Sequence, residues 1–247
     1  MLGLPTTSAF VSSAHNGVII WRGNPNCQAA HQAILQWLTA HCTPFLPSPP
    51  TGGPNLNVLN GNLGETMTLC VGLWRPQPHS HLVAANAFTP FSGISKPELD
   101  ILWLWFGATE AEDAAYLQEV KTTTNPALHY ANELVTDYDK LFGTDLSLTL
   151  HTRLQHIKNK LQYEWRLPSA YVSRVNKLAG ISPNTSPKIR LVPTLVHEAQ
   201  GANPLSRMSA IRGTLIGKGW PSTSVEAHAI GLTDLANRLL RLAVGAP

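Results

Sequence analysis

The 247-residue chain is short of charge. Asp, Glu, Lys and Arg make up 13% of it, about half the share of an average globular domain. A surface so poor in charge is expected to hide part of itself against a protein partner or a copy of the same chain. The charge imbalance is also small. A net charge of +3 permits a polyanionic partner without demanding one.

Cysteine is scarce too. Cys27, Cys42 and Cys70 are odd in number, far apart and without a Cys-x-x-Cys pair, which argues against a disulfide scaffold or a thiolate zinc site. A reducing compartment fits such a set. No apolar run reaches the roughly 18 residues of a membrane span. Met1–Phe10 has no basic stretch leading into a long apolar one, so no secretory signal is expected. The expectation is a soluble, cytoplasmic protein without membrane association.

Several catalytic signatures are missing. There is no Gly-x-Ser-x-Gly elbow. His197-Glu198 lacks the second histidine of a zinc-protease helix. Gly213–Lys218 is one residue short of a phosphate-binding loop and is followed by Gly219 instead of Ser or Thr. His79 and His81 have no third metal ligand nearby.

What is present suffices for a core, since 43% of residues are hydrophobic. Residues 17–22 read as a strand and 27–42 as a helix, followed by the Pro/Gly-rich stretch 44–62, which no regular element can occupy. Residues 1–60 are accordingly expected to be an N-terminal extension with a linker, and 61–247 the main domain. Within it, 63–74 reads as a helix and 81–89 as a strand. Ile101–Phe106 reads as a strand covered on both faces, and 114–122 as the next strand. Pro126 is expected to open a helix to Phe142, with helical sequence inserted at about 146–180. A strand follows at 189–196, where Pro193 should mark an edge or bulge. A helix at 204–216, a strand at 225–230 and a helix at 233–243 close the chain. Such an order predicts an α/β fold with a mixed central sheet flanked by helices.

The chemistry concentrates on the two middle strands. Asp100 heads the apolar run, and Glu119 and Lys121 lie two apart, so they share a face of the following strand. In an antiparallel hairpin turning near Glu110, opposed residue numbers sum to 219 or 220, which puts Asp100 opposite Glu119. Two carboxylates at one end of a dry hairpin repel each other, and a divalent cation relieves that cost. Mg²⁺, which takes carboxylates, waters and phosphate oxygens, suits the pair, and Mn²⁺ can replace it. Lys121 there can orient or deprotonate a water or stabilise charge on a phosphate. The plainer reading makes Asp100 a turn cap and Glu119 and Lys121 a solvated strand end. Arg207, Arg212 and Lys218, on or after a late helix, can meet phosphates of a nucleic acid or form an ordinary solvated face.

Pro97-Glu98-Leu99-Asp100 followed by Glu119-Val120-Lys121 resembles the PD-(D/E)xK nuclease superfamily, although two residues separate Pro97 from Asp100. The resemblance spans about residues 61–196. It implies a restriction-endonuclease-like core and Mg²⁺-dependent cleavage of DNA, in prokaryotic restriction, phage defence or DNA processing. It implies Asp100 and Glu119 as metal ligands, with the Val120 carbonyl as a further one, and Lys121 on the attacking water. Leu63-Gly64-Glu65 resembles the family's helix motif, implying Glu65 as a further catalytic and metal-binding residue. A helix-dipole role for Glu65 is the alternative. For the whole chain, the alternative is a non-catalytic nuclease-fold subunit that works through a partner protein.

Overall fold

The computed structural model describes residues 10–23, 61, 63–65, 67–68, 81–84, 100–142, 169–179 and 186–237, with the backbone alone at 81–84, 141–142 and 179. Seven strands are described: β1 (Phe10–His15), β2 (Val18–Gly23), β3 (His81–Ala84), β4 (Ile101–Phe106), β5 (Ala114–Thr123), β6 (Ile189–Glu198) and β7 (Ala227–Leu232). Three α-helices accompany them: α1 (Glu133–Phe142), α2 (Ser169–Ala179) and α3 (Pro204–Gly217). The strands form one mixed sheet in the order β1-β2-β7-β6-β5-β4-β3. This is the α/β class expected from the sequence.

β3, β4 and β5 form an antiparallel meander, whereas β5, β6, β7 and β2 run parallel to one another. The parallel joins need crossovers, and α1 with α2 (between β5 and β6) and α3 (between β6 and β7) occupy them. β4 is buried along its whole length, as its unbroken apolar run requires. On one face Leu102, Leu104, Leu117, Leu191 and Leu195 pack with Leu134, Tyr138, Val175, Met208 and Ile211 of the helices. The other face carries buried polar side chains that pair with one another. The Trp103 indole donates to Gln118 Oε1 (2.5 Å), Gln118 Nε2 to Thr194 Oγ1 (2.7 Å), and the Trp21 indole to His228 Nδ1 (3.2 Å).

The hairpin between β4 and β5 is pinned at its turn. Arg174 of α2 pairs with the buried Asp113 carboxylate and donates to the carbonyls of Gly107 (2.9 Å) and Thr109 (3.0 Å). Asp113 Oδ1 accepts from the Gly107 amide at 3.2 Å. A turn thus gripped fixes the register of everything below it.

Three expectations change. β1 and β2 belong to the sheet itself, so the sheet takes in part of the segment set apart as an N-terminal extension. The linker at 44–60 lies outside the described residues. Pro193 sits at neither an edge nor a bulge, because β6 is an interior strand in unbroken register with β5. It is tolerated because the β6–β7 ladder is interrupted there: Leu191 bridges Val225, and pairing resumes only at Thr194 with His228. Pro126 does not open α1. Leu128 adopts a left-handed conformation (φ 56°), a short 3₁₀ turn covers His129–Asn132, and α1 starts at Glu133. β3 is described over His81–Ala84, and residues 85–89 of the expected strand lie outside the described residues. The expected helix at 27–42 and residues 146–168 and 180 of the helical insertion lie outside the described residues, as does His79.

Candidate functional site

The register of the β4–β5 hairpin decides the site. Ile101 faces Gln118 and Leu102 faces Leu117, so paired residue numbers sum to 219, and one step further sets Asp100 beside Glu119. β4 begins at Ile101, which leaves the Val120 amide without a ladder partner on that side. The Asp100 side chain substitutes: Val120 N–H donates to Asp100 Oδ2 at 2.7 Å. A backbone bond therefore fixes this carboxylate, and a second hydrogen bond links it to the Glu119 carboxyl.

Glu119 is 4% exposed, which excludes the solvated strand end. Burial, reinforced by the neighbouring Asp100 charge and opposed by Lys121, pushes its carboxyl up to about 9. The Asp100 carboxyl is also raised by burial, against the pull of the Val120 amide and the Lys121 charge. Near neutral pH, Glu119 holds a proton and shares it with Asp100.

Glu65 joins the two from the other side of the sheet. Leu63 and Met67 are buried, and a Cβ on Gly64 would stand 2.0 Å from Thr122 Oγ1 and 3.2 Å from Val120 Cγ1. Only glycine lets this helical stretch lie so close to β5, and that contact brings the next side chain to the strand end. Burial, followed by the Asp100 charge, lifts the Glu65 carboxyl to about 8, with Lys121 opposing.

The cation is held from α1. Lys121 forms an ion pair with Asp137, which also binds Lys140 at 3.0 Å. Burial pulls the Lys121 ammonium down, but its hydrogen bond to Asp137 and the surrounding carboxylates outweigh that pull, and its pKa lies above the ordinary lysine value. Burial likewise lifts Asp137, yet its two lysines bring it below the usual carboxylate range. The adjacent Tyr138 is fully buried. Its hydroxyl donates to Leu117 O (2.9 Å) and accepts from Glu119 N–H (3.3 Å). That double bond to β5 sets the rotation of α1 and delivers Asp137 to Lys121.

Asp100, Glu119, Lys121 and Glu65 thus converge, as the sequence suggested. Val120 is among them, with its amide spent on Asp100. Arg207, Arg212 and Lys218 are engaged within the protein. Arg207 donates to Asn132 Oδ1 (3.1 Å), Arg212 to the carbonyls of Val225 (3.0 Å) and Ser222 (2.7 Å), and Lys218 to Asp139 (2.9 Å). Asp137 and Tyr138 escaped the sequence reading, since nothing in the chain distinguishes Asp137 from Asp139 on the same helix.

Among the described residues, no three His, Cys, Asp or Glu side chains close into a finished metal cage. The donor chemistry nevertheless fits a hard divalent cation. All three carboxyls are oxygen donors that burial pushes above the ordinary carboxylate range, and a cation would relieve the cost of ionising them together.

Among the described residues no helix is long and apolar enough to cross a membrane. In sequence comparisons the chain matches no protein-family model and no curated protein.

Proposed function

We infer that this protein is a Mg²⁺-dependent nuclease of the PD-(D/E)xK type that hydrolyses phosphodiester bonds of DNA. One observation carries the reading: two buried carboxyls linked by a hydrogen bond, a third beside them and a buried ammonium meet at the end of one strand. The order of elements supports it as well, with a helical stretch bearing Glu65, a three-stranded meander and a helical crossover to a parallel strand.

Asp100, Glu119 and Glu65 would hold Mg²⁺, with Mn²⁺ as a substitute. When bound, the cation polarises a phosphate oxygen and acidifies a water. Asp100 is the fixed ligand, because Val120 N–H orients it before anything binds. Glu119 would have to give up its proton to serve as a ligand. Lys121 stays an ammonium under the hold of Asp137, so its role is to support negative charge gathering on the phosphate, not to take a proton from water. Glu65, lifted to about 8, would likewise have to give up its proton to serve as a ligand.

The setting we propose is the cytoplasm, in prokaryotic restriction, phage defence or DNA processing, with a protein partner or a second copy of the chain. The low charge content favours such an association and keeps a second reading alive, that of a nuclease-fold subunit working through its partner. The test is cleavage of plasmid and linear DNA with Mg²⁺ or Mn²⁺, with and without EDTA. Cutting that needs metal and is lost in Glu119→Ala and Lys121→Ala supports the first reading. Cutting that survives both substitutions removes this site from consideration. Cutting restored only by a co-purifying protein favours the second.

A further inference from the structure

A cavity of about 340 Å³ opens at the C-terminal ends of β2, β6 and β7, and none of its lining residues belongs to the carboxylate cluster. The topology creates it. These three strands run parallel, so their C-terminal ends share one rim, and the crossover from β6 to β7 starts α3 there. The rim of a parallel sheet beside a helix amino end is a place where α/β folds bind ligands. The volume falls within the roughly 300–1,000 Å³ of small-molecule sites.

Two side chains of the lining are unspent, and the end of α3 adds its dipole to them. His197, at the end of β6, is 2% exposed. Its Nδ1 lies 2.7 Å from Glu198 O; a carbonyl only accepts, so Nδ1 carries the proton and Nε2 presents a lone pair. Nε2 is buried and has no hydrogen-bond partner. Gly231 flanks the ring on the cavity wall, where a Cβ would lie in ordinary contact, 3.4 Å from His197 Cε1 and 3.6 Å from Nε2. Burial, with the charge of Arg22 adding to it, keeps the imidazole neutral, although the Glu198 carbonyl and carboxylate pull the other way. Arg22 lines the same cavity and makes no hydrogen bond or ion pair among the described residues. Pro204, the first residue of α3, completes the wall and brings the positive end of the helix dipole to the rim.

We propose that this cavity binds a small phosphorylated molecule carrying hydroxyl or amine groups, of the size of a nucleoside monophosphate. Its phosphate lies against Arg22 and the amino end of α3, and a hydroxyl or amine hydrogen is donated to His197 Nε2. A neutral acceptor beside a guanidinium discriminates: it has nothing to offer a bare phosphate dianion but satisfies a ligand that combines an anion with a donor. The site does not depend on cleavage at Glu119, although it opens along the rim on which β5 also ends.

Calorimetric titration of the full chain with AMP, ribose 5-phosphate and inorganic phosphate tests this. AMP or both organic phosphates should bind at least about tenfold more tightly than inorganic phosphate, as expected for one added hydrogen bond to a buried acceptor. AMP alone binding assigns the site to nucleotides, and equal binding of the two assigns it to the sugar phosphate they share. Arg22→Ala should weaken all three by about tenfold. His197→Phe, which keeps the ring volume, should abolish the preference over inorganic phosphate while thermal unfolding shows the fold intact. Glu119→Ala should leave binding unchanged. Inorganic phosphate binding as tightly as AMP, unchanged affinity in Arg22→Ala, or no heat up to about 5 mM ligand overturns the proposal.

Discussion

Lys121 and Asp137 form an ion pair that ties the end of β5 to α1, and both side chains are largely buried (17% and 19% exposed). The half-buried cation of the site is thus held by a carboxylate outside the set that would bind metal. Asp137→Asn should lower DNA cleavage by about 10–100-fold, the usual cost of losing a partner that positions a ligand or catalytic group. It should also bring the alkaline limb of the pH–rate profile down, because Lys121 loses what keeps its pKa high. Asp137→Glu should recover part of the rate. A rate loss without any change in the profile would reduce Asp137 to a packing role.

The pH dependence of stability tests the shared proton. Glu119 titrates at about 9 in the fold against an ordinary 4.5. Between these values the native state keeps a proton that the unfolded chain has lost, so the contribution of Glu119 to stability is full below about 4.5 and is lost as pH climbs toward 9. Glu119→Gln retains the hydrogen-bond donor and cannot ionise. In EDTA its melting temperature should exceed that of the parent by roughly 3–10 °C at alkaline pH, with little difference under acid conditions. A gap that does not widen with pH would show that Glu119 carries no proton.

Metal binding should follow the same titration in the opposite sense. Glu65 at about 8 and Glu119 at about 9 must both release protons to serve as ligands. The thermal stabilisation given by Mn²⁺ or Mg²⁺ should therefore grow as pH rises from acid toward 9, and proton release should accompany binding in calorimetry. Equal stabilisation at all pH values would place the cation elsewhere.

Gly64 is a close-contact glycine, with a conformation any residue can adopt. Gly64→Ala would drive a methyl into Thr122 Oγ1, which already lacks a hydrogen-bond partner. The expected cost is about 1–3 kcal/mol, with cleavage falling as Glu65 is displaced. Thr122→Ala should rescue part of both losses, because it removes the atom in the way. Failure of the double variant to recover would mean that the helical stretch does not dock there.

Arg174→Ala tests the turn above the site. It leaves the Asp113 carboxylate, 3% exposed, without its cation, at a cost of about 3 kcal/mol. Asp113→Asn added to it should restore part of the stability, as the stranded charge is gone. Additive losses in the two variants, measured by denaturant unfolding, would contradict the pairing.

Much of the site was legible because it lies on one hairpin. Once Ile101–Phe106 and Ala114–Thr123 are strands joined by a short turn, local arithmetic brings residue 100 to residue 119 without knowledge of the rest. The β1–β2 hairpin was legible in principle as well. Asn16-Gly17, both with positive φ, is a strong turn signal between two extended runs. It was missed because β1 is exposed at five of its six positions and shows no alternation of apolar and polar residues. The start of α1 was misplaced because proline suits a first helical turn, whereas here Asn125 Oδ1 accepts from Ala127 N–H and closes a turn of its own before the helix.

By itself the sequence determined the α/β class, the doubly buried β4 and the pairing of the two middle carboxyls, since each follows from the period and order of neighbouring residues. Only the tertiary structure decided that Pro193 is safe inside the sheet, that Gly64 brings Glu65 to the strand end, and that Asp137 keeps Lys121 charged. Each of those depends on a segment distant in sequence. No local pattern encodes which helix will face a strand, because the packing of all the elements together sets that choice.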